Sequence, residues 1–266
     1  VRSLCEQVTT PSELSIAVLF AASTPEFRRG YEQVRQLHPD TQLHEQDSRP
    51  VKRQIQDLVE GERREFFSFF VDDIVAVRPF GWSDREFALL RTRPEVASLS
   101  LRLHPRISHC QPLNLDAPAP PLDADRTWDW TYPRNPWVQR LARLAKRPFA
   151  KGDWAGSMFL DGQVFRHPQF IEYFALLPEI PYVTKIESVM LSRPLPGRRV
   201  ACYAHARIVN VVLNRVDQHS GFPHAGGSAE EMNARFLEGE RLTYERLGDR
   251  DYPSCHVTVE PAWIRA

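Results

Sequence analysis

The run Phe66 to Phe70 (FFSFF), followed at once by Val71-Asp72-Asp73, constrains this chain more than any other stretch. So dense an aromatic segment reads as a strand that needs apolar cover. Two adjacent carboxylates at its end are costly to bury bare, since each buried charge needs a partner or a metal. In open α/β sheets ligands bind outside the carboxyl ends of the strands. A hard divalent cation such as Mg²⁺ or Mn²⁺ accepts one or two carboxylates and leaves positions for phosphate oxygens. A solvated turn, with one carboxylate capping the next segment, is the plainer alternative.

The neighbouring segments supply the frame. Ser15 to Ala22 (SIAVLFAA) is a continuous apolar run, as expected of a buried parallel strand. Thr24 then serves as an N-cap with Pro25 at the first helical position, and Phe27, Tyr31, Val34 and Leu37 recur at helical spacing. Ile55, Leu58 and Val59 give a second helix closed by Gly61. Ser83 and Glu86 spell a capping box for a third. Ala97 to Leu103 (ASLSLRL) alternates as a strand with one face inside. Asp161-Gly162, between MFL and QVF, is a two-residue hairpin signal. His167 to Phe174 reads as a helix, Arg207 to Leu213 as a strand, and Ser228 with Glu231 caps a last helix ending at Gly239. The order predicts an α/β fold with a mostly parallel central sheet flanked by helices.

Composition narrows the function. The 266 residues carry 34 basic and 34 acidic side chains, so the general electrostatic pull on nucleic acid is missing. No apolar run reaches the roughly 20 residues that span a bilayer, so no transmembrane segment is expected. Cys5, Cys110, Cys202 and Cys255 are scattered without a Cys-x-x-Cys pair, which suits reduced thiols in a cytoplasmic protein. No dinucleotide fingerprint, phosphate loop, nucleophile elbow or His-Glu-x-x-His is present. The prolines of 111–125 mark an irregular connection. Trp128, Trp130, Trp137 and Trp154 cluster after it as core filler or a sugar-stacking surface. The basic amphipathic helix expected over 137–147 has a solvated face as its plain reading and a peripheral membrane contact as the other.

FFSFFVDDIVAV (66–77), PEVASLSLRL (94–103), GDWAGSMFLDGQVFR (152–166) and VNVVLNRV followed by MNARFLEG (209–239) occur in an order that resembles the nucleotide-sugar-dependent glycosyltransferases of the GT-A fold. The closer likeness is to a bacterial group of them with Val-Asp-Asp in place of the usual Asp-x-Asp. The resemblance implies one GT-A-like domain over 1–266. Within it, 15–110 would be the nucleotide-binding half, 111–127 a Pro-rich loop, 128–240 the acceptor-side half and 241–266 a tail.

The same resemblance implies residue roles. Ala22, Ser23 and Thr24, at the end of the first strand, would hold the nucleotide; helix capping is the ordinary role of the last two. Asp47 would receive the base N–H. Asp73 would ligate the metal bridging the diphosphate, while Asp72 would reach metal water or ribose. Glu187 matches the catalytic base, although a glutamate in a first helical turn also suits the macrodipole; Asp153 competes for the role. His205 would be a late metal or diphosphate ligand, with an ordinary core or surface histidine as the plainer reading. Arg166 and Arg215 are candidate phosphate partners by guanidinium chemistry, with surface ion pairs as the alternative for both. The implied reaction is metal-dependent transfer of a sugar from a nucleotide-sugar donor, a UDP-sugar first, to a glycan, lipid-linked or protein acceptor. A metal-dependent nucleotidyl or phosphoryl transferase, or a non-catalytic glycan-binding module, are the alternatives.

Overall fold

The computed structural model describes residues 1–62, 64–111, 114–130, 152–155, 159–192, 197, 199–212, 227–248, 250–260 and 262–265. The basic segment 137–147, Trp137 and Arg215 lie outside the described residues. The first half runs α1 (Arg2–Gln7), β1 (Ala17–Phe20), α2 (Pro25–Leu37), β2 (Gln42–Glu45), α3 (Val51–Glu60), β3 (Phe66–Ser68), β4 (Ile74–Ala76), α4 (Arg85–Thr92) and β5 (Val96–Ser100). Short strands β6 (His109–Cys110), β7 (Leu115–Asp116) and β8 (Thr127–Asp129) follow. Beyond them come β9 (Gln163–Arg166), α5 (His167–Ala175), α6 (Ile186–Ser192), β10 (Arg199–Cys202) and β11 (Ile208–Val211). The chain closes with α7 (Ala229–Leu237), β12 (Glu240–Thr243), β13 (His256–Val257) and β14 (Ala262–Arg265).

An α/β fold forms, but the mostly parallel central sheet expected of a GT-A-like fold does not. The five-stranded sheet has the order β3-β9-β5-β10-β8. Only β5 and β10 run parallel in it; β9 is antiparallel to both of its neighbours, and β8 is antiparallel to β10. A second sheet, β13-β11-β4, is also mixed. The parallel pair β1-β2 forms a separate two-stranded sheet. The cause is a late strand: β9 enters between β3 and β5, which the strand-helix-strand order alone would have made neighbours.

Gly162 sets that placement. Its φ of +65° is left-handed backbone that glycine adopts without strain, and its N–H donates to Phe69 O at 2.8 Å. A Cβ there would stand 1.9 Å from Ile208 Cδ1. Among the described residues no Asp161-Gly162 hairpin forms; the glycine turns the chain into β9, whose partners are β3 and β5.

Two further expectations change for equally local reasons. All five residues of β5 are buried, so neither face meets water. Its serines are satisfied internally, Ser98 Oγ by Gln163 Nε2 at 2.8 Å and Ser100 Oγ by the Leu103 N–H at 3.1 Å. Helix α4 starts from Asp84, not from a Ser83–Glu86 capping box, because Glu86 is drawn into an ion pair with Arg126. By contrast, Thr24 caps α2 and the Ser228–Glu231 box closes on α7 with both bonds made.

The core is aromatic where β3 meets α5. The Phe67 and Phe69 rings stand 4.9 and 5.5 Å from that of Phe170, which stacks on Phe174 at 5.2 Å. Trp128 and Trp154 are buried edge to face, 4.9 Å apart, beneath β10. They are core, not a surface for sugar stacking.

Candidate active site

The acidic doublet sits where β3 leaves the aromatic core and turns back as β4 onto β11. The Asp73 carbonyl accepts from the Val211 N–H at 2.8 Å, which pins the turn to the second sheet. Asp73 is half-buried, and its Oδ1 accepts from Asn210 Nδ2 at 3.4 Å. Burial, then the charges of Asp161 and Asp72, push its carboxyl up to about 7. Asp72 is exposed. Its charge adds to burial in raising the Tyr31 phenol, which stacks on Phe20 at the end of β1 with ring centres 3.9 Å apart. The doublet thus lies beside the end of the first strand.

Arg102, just past the carboxyl end of β5, is only 2% exposed. Its Nη1 is 2.9 Å from Asp161 Oδ2 and its Nη2 is 3.2 Å from Asp153 Oδ1. The guanidinium also lies 4.8 Å from the centre of the Phe159 ring. Burial opposes this charge, but Asp153 and then Asp161 more than restore it and raise its pKa above the ordinary value. Asp153 is buried in the short turn Gly152–Ala155, and its Oδ2 has no hydrogen-bond partner among the described residues.

Glu187 opens α6 and faces the same charges. Burial comes first, and with Asp161 it lifts the carboxyl to about 7, against Arg102 and a backbone hydrogen bond from Leu160. Asp161, which the sequence presents as a turn residue, therefore adds repulsion to both perturbed acids, Asp73 and Glu187. Arg102 is the buried cation that opposes it.

Glu187, Asp153 and Asp73 of the expected set are thus linked through Asp161 and Arg102, and Asp72 adjoins Asp73. Other expected residues have different surroundings. Ser23 and Thr24 are exposed beside half-buried Ala22, and Thr24 Oγ1 accepts from the Phe27 N–H at 3.4 Å. Exposed Asp47 accepts from the Arg49 N–H at 2.8 Å and from Arg49 Nε at 2.9 Å, and these contacts hold its pKa low. Arg166 donates to the carbonyls of Leu90 (2.5 Å) and Arg93 (2.7 Å) and to Gln169 Oε1 (2.8 Å), which ties its guanidinium to the end of α4. His205 Nδ1 lies 2.7 Å from Asp251 Oδ2, in a separate charge group with Arg78 and Arg106.

The donor set suits a hard cation in one specific sense. Asp73 is a desolvated carboxylate pressed by two other acids, and a positive charge would relieve that repulsion. Among the described residues no three His, Cys, Asp or Glu side chains stand together as a complete metal cage.

Arg102, Asp161 and Asn210 are the residues that sequence reasoning passed over. An arginine inside an otherwise apolar and serine strand was the available signal, because such a charge needs acids to meet it. No protein-family model, curated protein or solved structure matches this chain.

Proposed function

We propose that the protein is a metal-dependent glycosyltransferase that moves a sugar from a nucleotide-sugar donor, a UDP-sugar first, to a hydroxyl of a glycan, lipid-linked or protein acceptor. The observation that carries this reading is the pair of carboxyls, Asp73 and Glu187, each lifted to about 7 beside the same Asp161. Two acids that share one acidic neighbour, Asp73 in the turn between β3 and β4 and Glu187 in the first turn of α6, would serve the separate needs of a leaving diphosphate and an attacking hydroxyl.

In this reading Asp73, with Asp72 toward the solvent side, holds Mn²⁺ or Mg²⁺. The bound cation supplies charge neutralisation for the departing diphosphate. Glu187 in its ionised form takes the proton of the acceptor hydroxyl as that oxygen bonds to the anomeric carbon. The bond from that carbon to the diphosphate oxygen breaks, and its electron pair leaves on the diphosphate. Asp153 is the weaker choice of base, because one of its oxygens is already paired with buried Arg102. The end of β1, beside Asp72, is the place for the nucleotide.

Among the described residues no helix is long and apolar enough to cross a membrane. All four thiols are free, which supports placing the protein in the cytoplasm. The test is incubation of the chain and Mn²⁺ with panels of sugar nucleotides and nucleoside triphosphates. Release of a nucleoside diphosphate from one sugar nucleotide is the expected result. Consumption of a triphosphate alone would replace sugar transfer by nucleotidyl or phosphoryl transfer.

A further inference from the structure

Asn210 is a buried amide in an apolar strand whose side-chain oxygen is unpaired among the described residues. It lies in β11 between Val209 and Val211, and its own exposure is 1%. Its Nδ2 reaches Asp73 Oδ1 at 3.4 Å, a long contact, while its Oδ1 has no hydrogen-bond partner among the described residues. Nearly all buried side-chain oxygens in folded proteins are paired, so an orphan calls for a specific donor. Its cross-strand partners are Ile74 on β4 and His256 on β13, and its side chain meets Asp73. The backbone adds precision, because the next residue's N–H, that of Val211, holds the Asp73 carbonyl at 2.8 Å. One strand therefore grips Asp73 twice, by main chain and by side chain.

We propose that Asn210 is a positioning residue for cation binding at Asp73. Its Nδ2 orients the carboxylate, and its free Oδ1 accepts from a donor that arrives with the cation, such as a metal-bound water. Partners of this outer kind fix the ligand's orientation, and losing one typically lowers metal affinity about 10- to 100-fold. The inference rests on the reading of Asp73 as a cation ligand.

The experiment is Mn²⁺ binding to the full chain, followed by electron paramagnetic resonance of the free ion, with thermal melts in chelator alongside. Asn210→Leu keeps the branching of the side chain but removes its polar atoms, and in the folded variant Mn²⁺ binding should weaken about 10- to 100-fold. A packing role would leave Mn²⁺ affinity untouched, so the two readouts separate the roles. Asn210→Thr, which suits a strand but has a hydroxyl too short for the contact, should show the same loss and covers the case in which the leucine variant fails to fold. Wild-type affinity in a folded variant would overturn this inference alone. If the wild type binds no Mn²⁺, the reading of Asp73 falls and takes the inference with it. If the wild type binds and Asp73→Asn abolishes binding while the Asn210 variants bind normally, Asp73 stands and Asn210 does not.

Discussion

Replacing Asp73 by Asn tests the charge logic of the site with little change of shape. Burial, followed by Asp161 and Asp72, lifts this carboxyl from 3.8 to about 7. The folded chain therefore holds the proton more tightly than the unfolded chain does. By linkage the wild type loses stability as pH rises from about 4 to about 7, and loses no more above that. The interval of about three pH units, at about 1.4 kcal/mol each, sets a ceiling near 4 kcal/mol. Asp73 keeps some solvent contact and shares its field with Asp161, so screening reduces the working figure to about 2 kcal/mol. At pH 8, in chelator, D73N should be more stable than wild type by that amount, a rise in Tm of about 4–8 °C for a chain of this size. By pH 5 more than half of the gain should vanish, because the wild-type carboxyl is then protonated in the fold. Urea melts at the two pH values read the difference. Equal or lower stability of D73N at pH 8, or a gain that ignores pH, would refute the reasoning.

Three other outcomes follow from the same contacts. Glu187→Gln should slow turnover about 100- to 10,000-fold; the wild-type rate should rise with pH through about 7, as the base ionises, and the variant should lose that inflection. An unchanged pH–rate profile in the variant would move the base elsewhere. Arg102→Gln leaves buried Asp153 and half-buried Asp161 without their cation and should cost about 3–5 kcal/mol in chemical denaturation. A loss below about 1 kcal/mol would mean that water, not Arg102, compensates these acids. Ser228→Ala removes one half of the α7 capping box and should cost about 1 kcal/mol, measured in the same way; no loss would show that the first turn of α7 does not depend on its cap.

What could be read from the residues was local. The Thr24 cap and the Ser228–Glu231 box were legible because each satisfies backbone donors within one helical turn. Gly162 was legible as a turn, but whether the following strand folds on its predecessor or inserts between two others depends on Phe66–Ser68 and Leu99–Ser100, far away in the chain. The alternation in β5 was misread for a similar reason: its serines look solvent-facing until Gln163 of β9 arrives as a partner. The doublet Asp72-Asp73 stood out as two adjacent acids after an aromatic strand, while Glu187 was picked out by the resemblance alone. Their connection was not visible, because Asp161 and Arg102 become a hub only when the end of β5 and the start of β9 meet. The Ser83–Glu86 signal failed against a stronger attraction, the charge of Arg126.

The most direct test of the account is calorimetry of UDP with the full chain, with and without Mn²⁺, for wild type and for Asp73→Asn. The account predicts UDP binding that requires Mn²⁺ and disappears in the variant. UDP binding that is indifferent to Mn²⁺, or that survives the loss of the Asp73 carboxylate, would contradict it.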